Sequence, residues 1–334
     1  MNATKDKPRN MTDIAEMLGI TAQSVSLALR NSPLISQELR DQVQAIAAKT
    51  DFKARNYRRR RSGGGNTGKV MVLYEAANVG DPVAQQIMNS VMKRLAEQKM
   101  IFETCSCEEL YDNPALIEGF AGVIYHYCFR PWFASILEGI AQVAIMHEEI
   151  DIGPWDSFKP NETLAGKLAA NYLIGQGFQK AVLVWEARMA YRPESHPRLE
   201  GVRRRLAEAG VEVAQLSYSN DLDEPQAFPA ALREALERFD NRAGIFAFND
   251  QVAYKVCHTL DFAGLQRRPK ELEVISCDNT YLLNELHPPL PAVDLHIAEI
   301  ASRAVDGLLW RLGNPEASYQ DVLIKPELIL PKKK

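Results

Sequence analysis

The feature that most constrains the fold is a series of short apolar runs that alternate with helical patterns. Six runs fit buried strands, at 70–74, 122–125, 143–146, 181–185, 244–248 and 272–275. Helical spacing occurs in the segments 165–174 and 199–209, and in Ile87, Val91 and Leu95. Apolar strands that alternate with helices indicate parallel sheets covered on both faces. Because there are too many strands for one sheet, we predict two doubly wound lobes that bind ligand at the strands' carboxyl ends.

Charge divides the chain into two unequal parts. The formal net charge is −4, but residues 1–69 carry 13 Lys and Arg against 6 Asp and Glu, so the remainder is −11. A small basic head on a large acidic body predicts that only the head meets a polyanion. A solvated basic tail is the alternative explanation of the same charge pattern.

The basic head has the pattern of three short helices. Thr12 and Thr21 can cap the first two, Gly19 suits a left-handed stop between them, and Ser36 can cap a third. Two short helices joined by a three-residue turn with glycine, and backed by a third, are typical of a helix-turn-helix. The packing pattern alone fits any three-helix fragment equally well.

Residues 11–31 also carry three motifs, Asp-Ile-Ala, Gly-Ile-Thr and Ser-Val-Ser-Leu-Ala-Leu. They resemble the headpiece of the lactose-repressor/galactose-repressor (LacI/GalR) family, which implies a pseudo-palindromic double-stranded DNA operator read by a homodimer. By this resemblance, the positions that contact DNA are Thr21, Ala22, Gln23, Ser24 and Ser26. Gln23 can pair with adenine through two hydrogen bonds. Leu27 stands where several relatives have arginine, so it contacts a thymine methyl or the site depends more on Arg30.

Residues 53–68 form a basic, glycine-rich segment at the place of the family's hinge helix. Relatives insert a leucine from this helix into the minor groove, whereas Arg61 stands at that position here. We expect Arg55, Arg58 and Arg61 to contact phosphates or a narrow minor groove, and the segment to order only on DNA. A solvated tether is the alternative.

Residues from about 68 to 328 resemble the family's effector domain, which is similar to periplasmic sugar-binding proteins. The motifs are Arg198-x-x-Gly, Asn249-Asp250 and the segment that ends in Asp278-Asn279. The resemblance implies that Arg198, Asn249 and Asp278 bind effector hydroxyls, for which a guanidinium, an amide and a carboxylate are suited. Two further candidate contacts, Glu75 and Asn161, stand where the family pattern is altered, which indicates either an unusual ligand or a site that no longer binds one.

Purely structural roles remain open for two of these candidate contacts. Arg198 can pair with Glu194 or Glu200 on the surface, and Asp278 can cap the segment that follows it. Asp250 fits a helix cap or turn residue better than a ligand contact.

The sequence therefore predicts an all-α helix-turn-helix headpiece joined to an α/β periplasmic-binding-protein-like core of two doubly wound parallel-sheet lobes. The expected boundaries are headpiece 8–52, hinge 53–68 and core 69–331, with an N-lobe at about 69–161 and 292–320 and a C-lobe at about 162–291 and 321–331.

Such a chain is expected to be a transcriptional regulator, a repressor controlled by a sugar or sugar derivative. Two alternatives are a cytosolic small-molecule-binding protein with a vestigial head, and an enzyme on the core. No catalytic constellation, metal cluster or phosphate loop stands out in the sequence, so no cofactor is expected. Five cysteines, no secretory signal and no apolar run of about 18 residues favour a bacterial cytoplasmic protein at the nucleoid, without a membrane partner.

Overall fold

The computed structural model describes residues 11–29, 36–50, 68–126, 133–146, 153–187, 195–218 and 227–331. In this part of the chain we label the helices α1–α11 and the strands β1–β12 in chain order. By its internal contacts, the chain divides into two compact units. One includes residues 95–156 and 307–319, and the other includes residues 77–94 and 157–306. The headpiece groups with the first unit, and residues 320–334 group with the second.

Three helices form the headpiece, with bounds that agree with the sequence pattern: α1 Met11–Leu18, α2 Ala22–Leu29 and α3 Gln37–Thr50. Gly19 adopts a left-handed φ of 66° between the first two, and Thr21 Oγ1 accepts a hydrogen bond from the Ser24 backbone N–H at 3.1 Å. These helices bury a small core of Ile14, Ala15, Val25, Ala28 and Val43. The small side chains in this core allow short helices to pack closely.

The first sheet has six strands in the order β11–β5–β4–β3–β1–β2. Its strands are β1 Val70–Tyr74, β2 Phe102–Ser106, β3 Gly122–His126, β4 Ala141–Ile145, β5 Asp156–Pro160 and β11 Asp321–Ile324. The pairs β1–β2, β1–β3, β3–β4 and β5–β11 are parallel. Four helices accompany these strands in sequence, α4 Pro82–Glu97, α5 Cys107–Asp112, α6 Phe133–Ile136 and α11 Ile297–Gly313.

The second sheet also has six strands, in the order β12–β10–β9–β8–β6–β7. They are β6 Lys180–Glu186, β7 Glu212–Tyr218, β8 Ala243–Ala247, β9 Leu272–Asp278, β10 Ala292–Asp294 and β12 Glu327–Ile329. The helices are α7 Glu162–Gly175, α8 Pro197–Glu208, α9 Ala227–Arg238 and α10 Asp250–Phe262. Doubly wound, largely parallel sheets are confirmed, with one exception, because β10 and β12 pair antiparallel.

The number of strands differs from the sequence prediction, because six of the twelve described strands were not predicted: β2, β5, β7, β10, β11 and β12. The edge strands β2 and β7 have exposed side chains that interrupt the apolar run, and β10 and β12 have three residues each. The expected lobe boundaries at 291/292 and 320/321 stay a prediction. Strand β10 pairs with β9 in the second sheet and β11 pairs with β5 in the first, so the pairing partners and not the apolar runs decide where the chain changes sheets.

Candidate functional site

A group of polar side chains lies at the carboxyl edge of the second sheet. Strand β8 ends just before Phe248 and Asn249, and β9 ends at Asp278. Helices α7 and α8 begin at Glu162 and Pro197, so their first turns supply Glu162 and Arg198. This edge is where open parallel sheets bind their ligands.

Arg198 is the centre of this group, and it is buried. Its Nε and Nη2 donate to the two carboxylate oxygens of Glu162 at 2.7 and 2.9 Å. Its Nη1 donates to the carbonyl oxygen of Phe248 at 2.6 Å and to Asp278 Oδ1 at 3.1 Å. All three guanidinium nitrogens therefore donate to acceptors of the chain itself, and one of the pairs is the strong bidentate kind.

Aromatic rings pack beside the guanidinium. The Arg198 guanidinium carbon lies 4.6 Å from the centre of the Phe248 ring, in cation–π geometry. The His196 ring meets the same phenyl ring edge-on at 4.9 Å, and His196 Nδ1 accepts a hydrogen bond from the Arg198 backbone N–H at the start of α8. These contacts fix the side chain of Arg198 in position.

Two glycines allow α7 and α8 to approach closely enough for this pairing. A Cβ atom at Gly166 would lie 2.0 Å from the Arg198 carbonyl oxygen, and one at Gly201 would lie 2.4 Å from the Thr163 carbonyl oxygen. Since no other residue type lacks a Cβ atom, glycine is required at both positions. The contact between the helices places Glu162 opposite Arg198.

A second buried carboxylate organises the end of β9. Asp250 Oδ1 accepts from Ser276 Oγ at 2.6 Å, and Oδ2 accepts from the Thr280 backbone N–H at 2.6 Å and from its hydroxyl at 2.8 Å. Burial raises the pKa of Asp250 to about 6, although these hydrogen bonds act in the opposite direction. Asp250 therefore holds the β9 segment that presents Asp278, which is a structural role.

Asp278 occupies an unusual backbone conformation and an unusual electrostatic environment. Its φ of 97° and that of Asn279, 59°, lie in the left-handed region, and the Asn279 side chain donates to Asp294 at 3.0 Å. Burial raises the pKa of Asp278 to about 8. Arg198 opposes this shift, whereas the charges of Asp250, Glu162 and Asp81 add to it.

The carboxylates also affect Arg198 itself. Burial disfavours its charged form, but the neighbouring charges of Glu162 and Asp278 outweigh it and raise the pKa of Arg198 well above its ordinary value. Arg198 therefore stays charged, and the carboxyl groups whose charges act at the site outnumber it. Such a site suits hydroxyl groups, which can donate to carboxylates and accept from a guanidinium.

Of the five predicted effector contacts, a hydrogen bond joins two, Arg198 and Asp278. Asn249 and Asn161 cap helices, because their Oδ1 atoms accept from the backbone N–H groups of Val252 at 2.9 Å and Leu164 at 3.0 Å. Glu75 follows β1 in the first compact unit. An effector contact remains a prediction for all five residues.

Arg198 is buried and does not lie on the surface, and its described carboxylate partners are Glu162 and Asp278. Glu200 is exposed on α8, and Glu194 lies outside the described residues. Glu162 is the partner that sequence reasoning missed. The altered Asn161-Glu162 pair marked its position, but only the packing of α7 on α8 shows which of the two side chains points inward.

The predicted DNA contacts divide into three groups. Thr21 is exposed at the start of α2, and Ser24 is half-buried one turn later. Four residues belong to α2, but their side chains lie outside what the structure describes: Ala22, Gln23, Ser26 and Leu27. Arg30, and the hinge residues Arg55, Arg58 and Arg61, lie outside the described residues.

Metal-binding clusters and membrane-spanning helices are two further features that the described residues could show. Within those residues, no group of three or more His, Cys, Asp or Glu side chains could hold a metal ion. No described helix combines the length and apolar character needed to cross a membrane.

Known proteins match both parts of this chain. The periplasmic binding protein-like domain family matches residues 170–330. The ribose operon repressor of Haemophilus influenzae is 23% identical over 335 residues, which cover 96% of this chain and 97% of that protein.

Solved structures of regulators share the fold. A complex of the transcriptional regulator CelR with cellobiose has a TM-score of 0.72 at 18% identity, and the match covers 97% of this chain and 99% of that one. A LacI family regulator from Enterococcus faecium with bound ribose has a TM-score of 0.66 at 20% identity, covering 78% and 97%.

The chain thus combines a helix-turn-helix headpiece with a periplasmic-binding-protein-like core, and the core contains the buried arginine site. Relatives match along nearly the whole chain, and the protein resembles LacI-family transcriptional regulators.

Proposed function

We propose that this protein is a sequence-specific DNA-binding repressor whose affinity for its operator changes when a sugar or sugar derivative binds the core. One observation carries the proposal, namely that a helix-turn-helix and a core with a buried Arg198–Asp278 pair at its ligand edge occur in one chain. A ligand that binds one conformation of the core better than another shifts the population, and the linkage is reciprocal. We place the protein in the bacterial cytoplasm, at the nucleoid.

Selection of bound sites from a random DNA pool tests the DNA-binding part. The full chain should enrich a pseudo-palindromic sequence, because each recognition helix reads one half-site. Replacing Gln23→Ala should relax one base position by about 1–3 kcal/mol. Gln42→Ala is the matched control, since Gln42 is exposed on α3 and is not a predicted contact. Enrichment of no sequence would favour the small-molecule-binding alternative.

The basic hinge is tested by the salt dependence of binding. If Arg58–Arg61 contact phosphates, replacing all four arginines by serine should reduce the slope of log K against log salt by up to about 3.6 per headpiece. An unchanged slope would show that the segment only tethers the headpiece.

A second copy of the chain is the expected partner, and helix α10 supports this part of the proposal. Its exposed face carries Tyr254, His258 and Phe262, spaced one turn apart, and Phe262 is 86% exposed. The rings of Tyr254 and His258 lie 4.4 Å apart. An exposed aromatic stripe of this kind on a surface helix suits a protein interface.

Light scattering of the protein as it elutes from a size-exclusion column measures this association. Phe262→Glu should convert a dimer to a monomer, because burial of a charge at an apolar contact is costly. Tyr111→Glu, at an exposed aromatic residue on α5, should leave the mass unchanged. A dimer that survives Phe262→Glu would place the interface elsewhere.

A further inference from the structure

One strand connects two buried arginine–carboxylate pairs. Strand β5 begins at Asp156 and ends at Pro160, and the next two residues are the cap Asn161 and Glu162. Asp156 pairs with Arg311, and Glu162 pairs with Arg198. The side chains of both pairs are at most 6% exposed, so solvent screens neither pair.

The pair at the start of β5 has ideal geometry. Arg311 Nε and Nη2 donate to the two oxygens of Asp156, each at 2.8 Å. Its remaining donors reach the carbonyl oxygens of Asn314, Ala317 and Ser318 in the turn after α11. The rigid fork of arginine therefore fixes both the strand and this turn.

The same turn leads into β11, which lies beside β5. The two strands pair in parallel from Ser157 and Asp321 to Pro160 and Ile324. Backbone hydrogen bonds close the ladder at both ends, from Ser157 N–H to the Gln320 carbonyl at 2.8 Å and from Asn161 N–H to the Ile324 carbonyl at 2.9 Å. Arg311 thus holds the beginning of β5 and the turn that precedes β11, while the far end of β5 leads through Asn161 to Glu162 of the Arg198 site.

We propose that Asp156 and Arg311 form an anchor that makes β5 respond as one unit to changes at Glu162. A strand held by a bidentate pair at each end cannot shift at one end alone without breaking a buried pair or its ladder. Displacement of Glu162 from Arg198 then passes along β5 to residues 314–324. Arg311 is a positioning residue for the ligand response, and this role rests on the proposed function.

Hydrogen exchange of the full chain, followed by mass spectrometry, tests the anchor without DNA or ligand. Arg311→Lys keeps the charge but loses the fork. It should speed exchange about tenfold at 156–160 and 314–324, and also at 161–166, beyond the far end of the strand. Glu162→Gln should in turn speed exchange at 314–320, which lies beyond β11 from Ile324, the residue that accepts a hydrogen bond from the Asn161 N–H.

Arg94→Lys is the matched control. Arg94 makes a bidentate pair with Asp306 at 2.9 and 3.1 Å, but the pair is half-exposed and lies away from β5 in sequence. It should leave exchange in 156–166 and 314–324 unchanged. The backbone of β8 is an internal reference, since it is flanked by neighbouring strands on both sides and should not respond in any of the three variants.

Two results would overturn the proposal. One is exchange that changes only next to each mutated residue, which would make the pairs independent. The other is a uniform increase that includes β8, which would show general destabilisation. If Arg311→Lys does not fold, the Glu162→Gln variant decides the question by its effect on 314–320. Because the experiment uses neither operator nor effector, its failure would leave the proposed DNA-binding function standing, and the reverse also holds.

Discussion

Arg198 and Arg311 make the same bidentate pair with a carboxylate, but they use their remaining donors differently. Arg311 gives them to three backbone carbonyls, so one positive charge meets one carboxylate. Arg198 gives one to a second carboxylate, Asp278, on which the charges of Asp250 and Asp81 also act. The first arrangement closes a turn. The second leaves an imbalance of charge that a proton can relieve, and carboxyl groups with raised pKa values are typical of functional sites.

Of the changes that test this comparison, removal of the Arg198 guanidinium should have the largest effect on stability. Arg198→Met leaves Glu162 and Asp278 buried without their cation, and should lower the free energy of unfolding by about 3–5 kcal/mol. Arg311→Met strands a single carboxylate and should cost less. Urea unfolding of both variants measures the difference, and an equal or larger loss for Arg311→Met would break the comparison.

The close contact of α7 with α8 gives the next largest effect. Gly166→Ala places a methyl group against the Arg198 backbone, and should cost about 1–3 kcal/mol of stability while displacing Glu162 from its partner. Gly175→Ala on the same helix meets no atom within 4 Å and is the control, expected to be neutral or slightly stabilising. Thermal unfolding compares the two variants. Equal melting temperatures would mean that the helices can separate at little cost.

The pH dependence of stability tests the difference in electrostatic environment between the two arginine sites. Because the pKa of Asp278 is raised from 3.8 to about 8, the folded protein binds a proton there that the unfolded chain releases. The resulting stabilisation is complete below pH 3.8 and is lost as the pH rises to about 8, at up to about 1.4 kcal/mol per pH unit. Unfolding curves of wild type and Asp278→Asn between pH 5 and 8 should differ by this slope. Parallel curves would show that Asp278 is ionised throughout.

We attribute the predicted losses of stability at Arg198 and Arg311 to burial of their pairs and not to bidentate geometry. Replacement of Arg94 tests this attribution and should have the smallest effect. Its pair with Asp306 has similar distances, but the side chains are 30% and 46% exposed. Arg94→Met should cost at most about 1 kcal/mol, less at high salt, because water and ions screen the charges. A loss as large as that of Arg311→Met would mean that geometry dominates after all.

The sequence predicted the central strands well, because a buried parallel strand needs an unbroken apolar run, as in β6 and β8. It predicted the three headpiece helices from the spacing of apolar residues and from Gly19. Edge strands such as β7 escaped prediction, since one exposed face erases the run. At the site, motif resemblance selected Arg198 and Asp278, but it could not select Glu162, whose role depends on a neighbour 36 positions along the chain.

By itself the sequence determined the class of fold, the division into a basic head and an acidic body, and two of the residues at the carboxyl edge of the second sheet, because periodicity, charge and motif are local properties. The tertiary structure alone decided the partners of the buried arginines. It brings Glu162 to Arg198 through helices that touch at two glycines, and it brings Asp156 to Arg311 across 155 positions of the chain. A guanidinium accepts any carboxylate as its partner, so only the packing of the folded chain specifies which carboxylate is within reach.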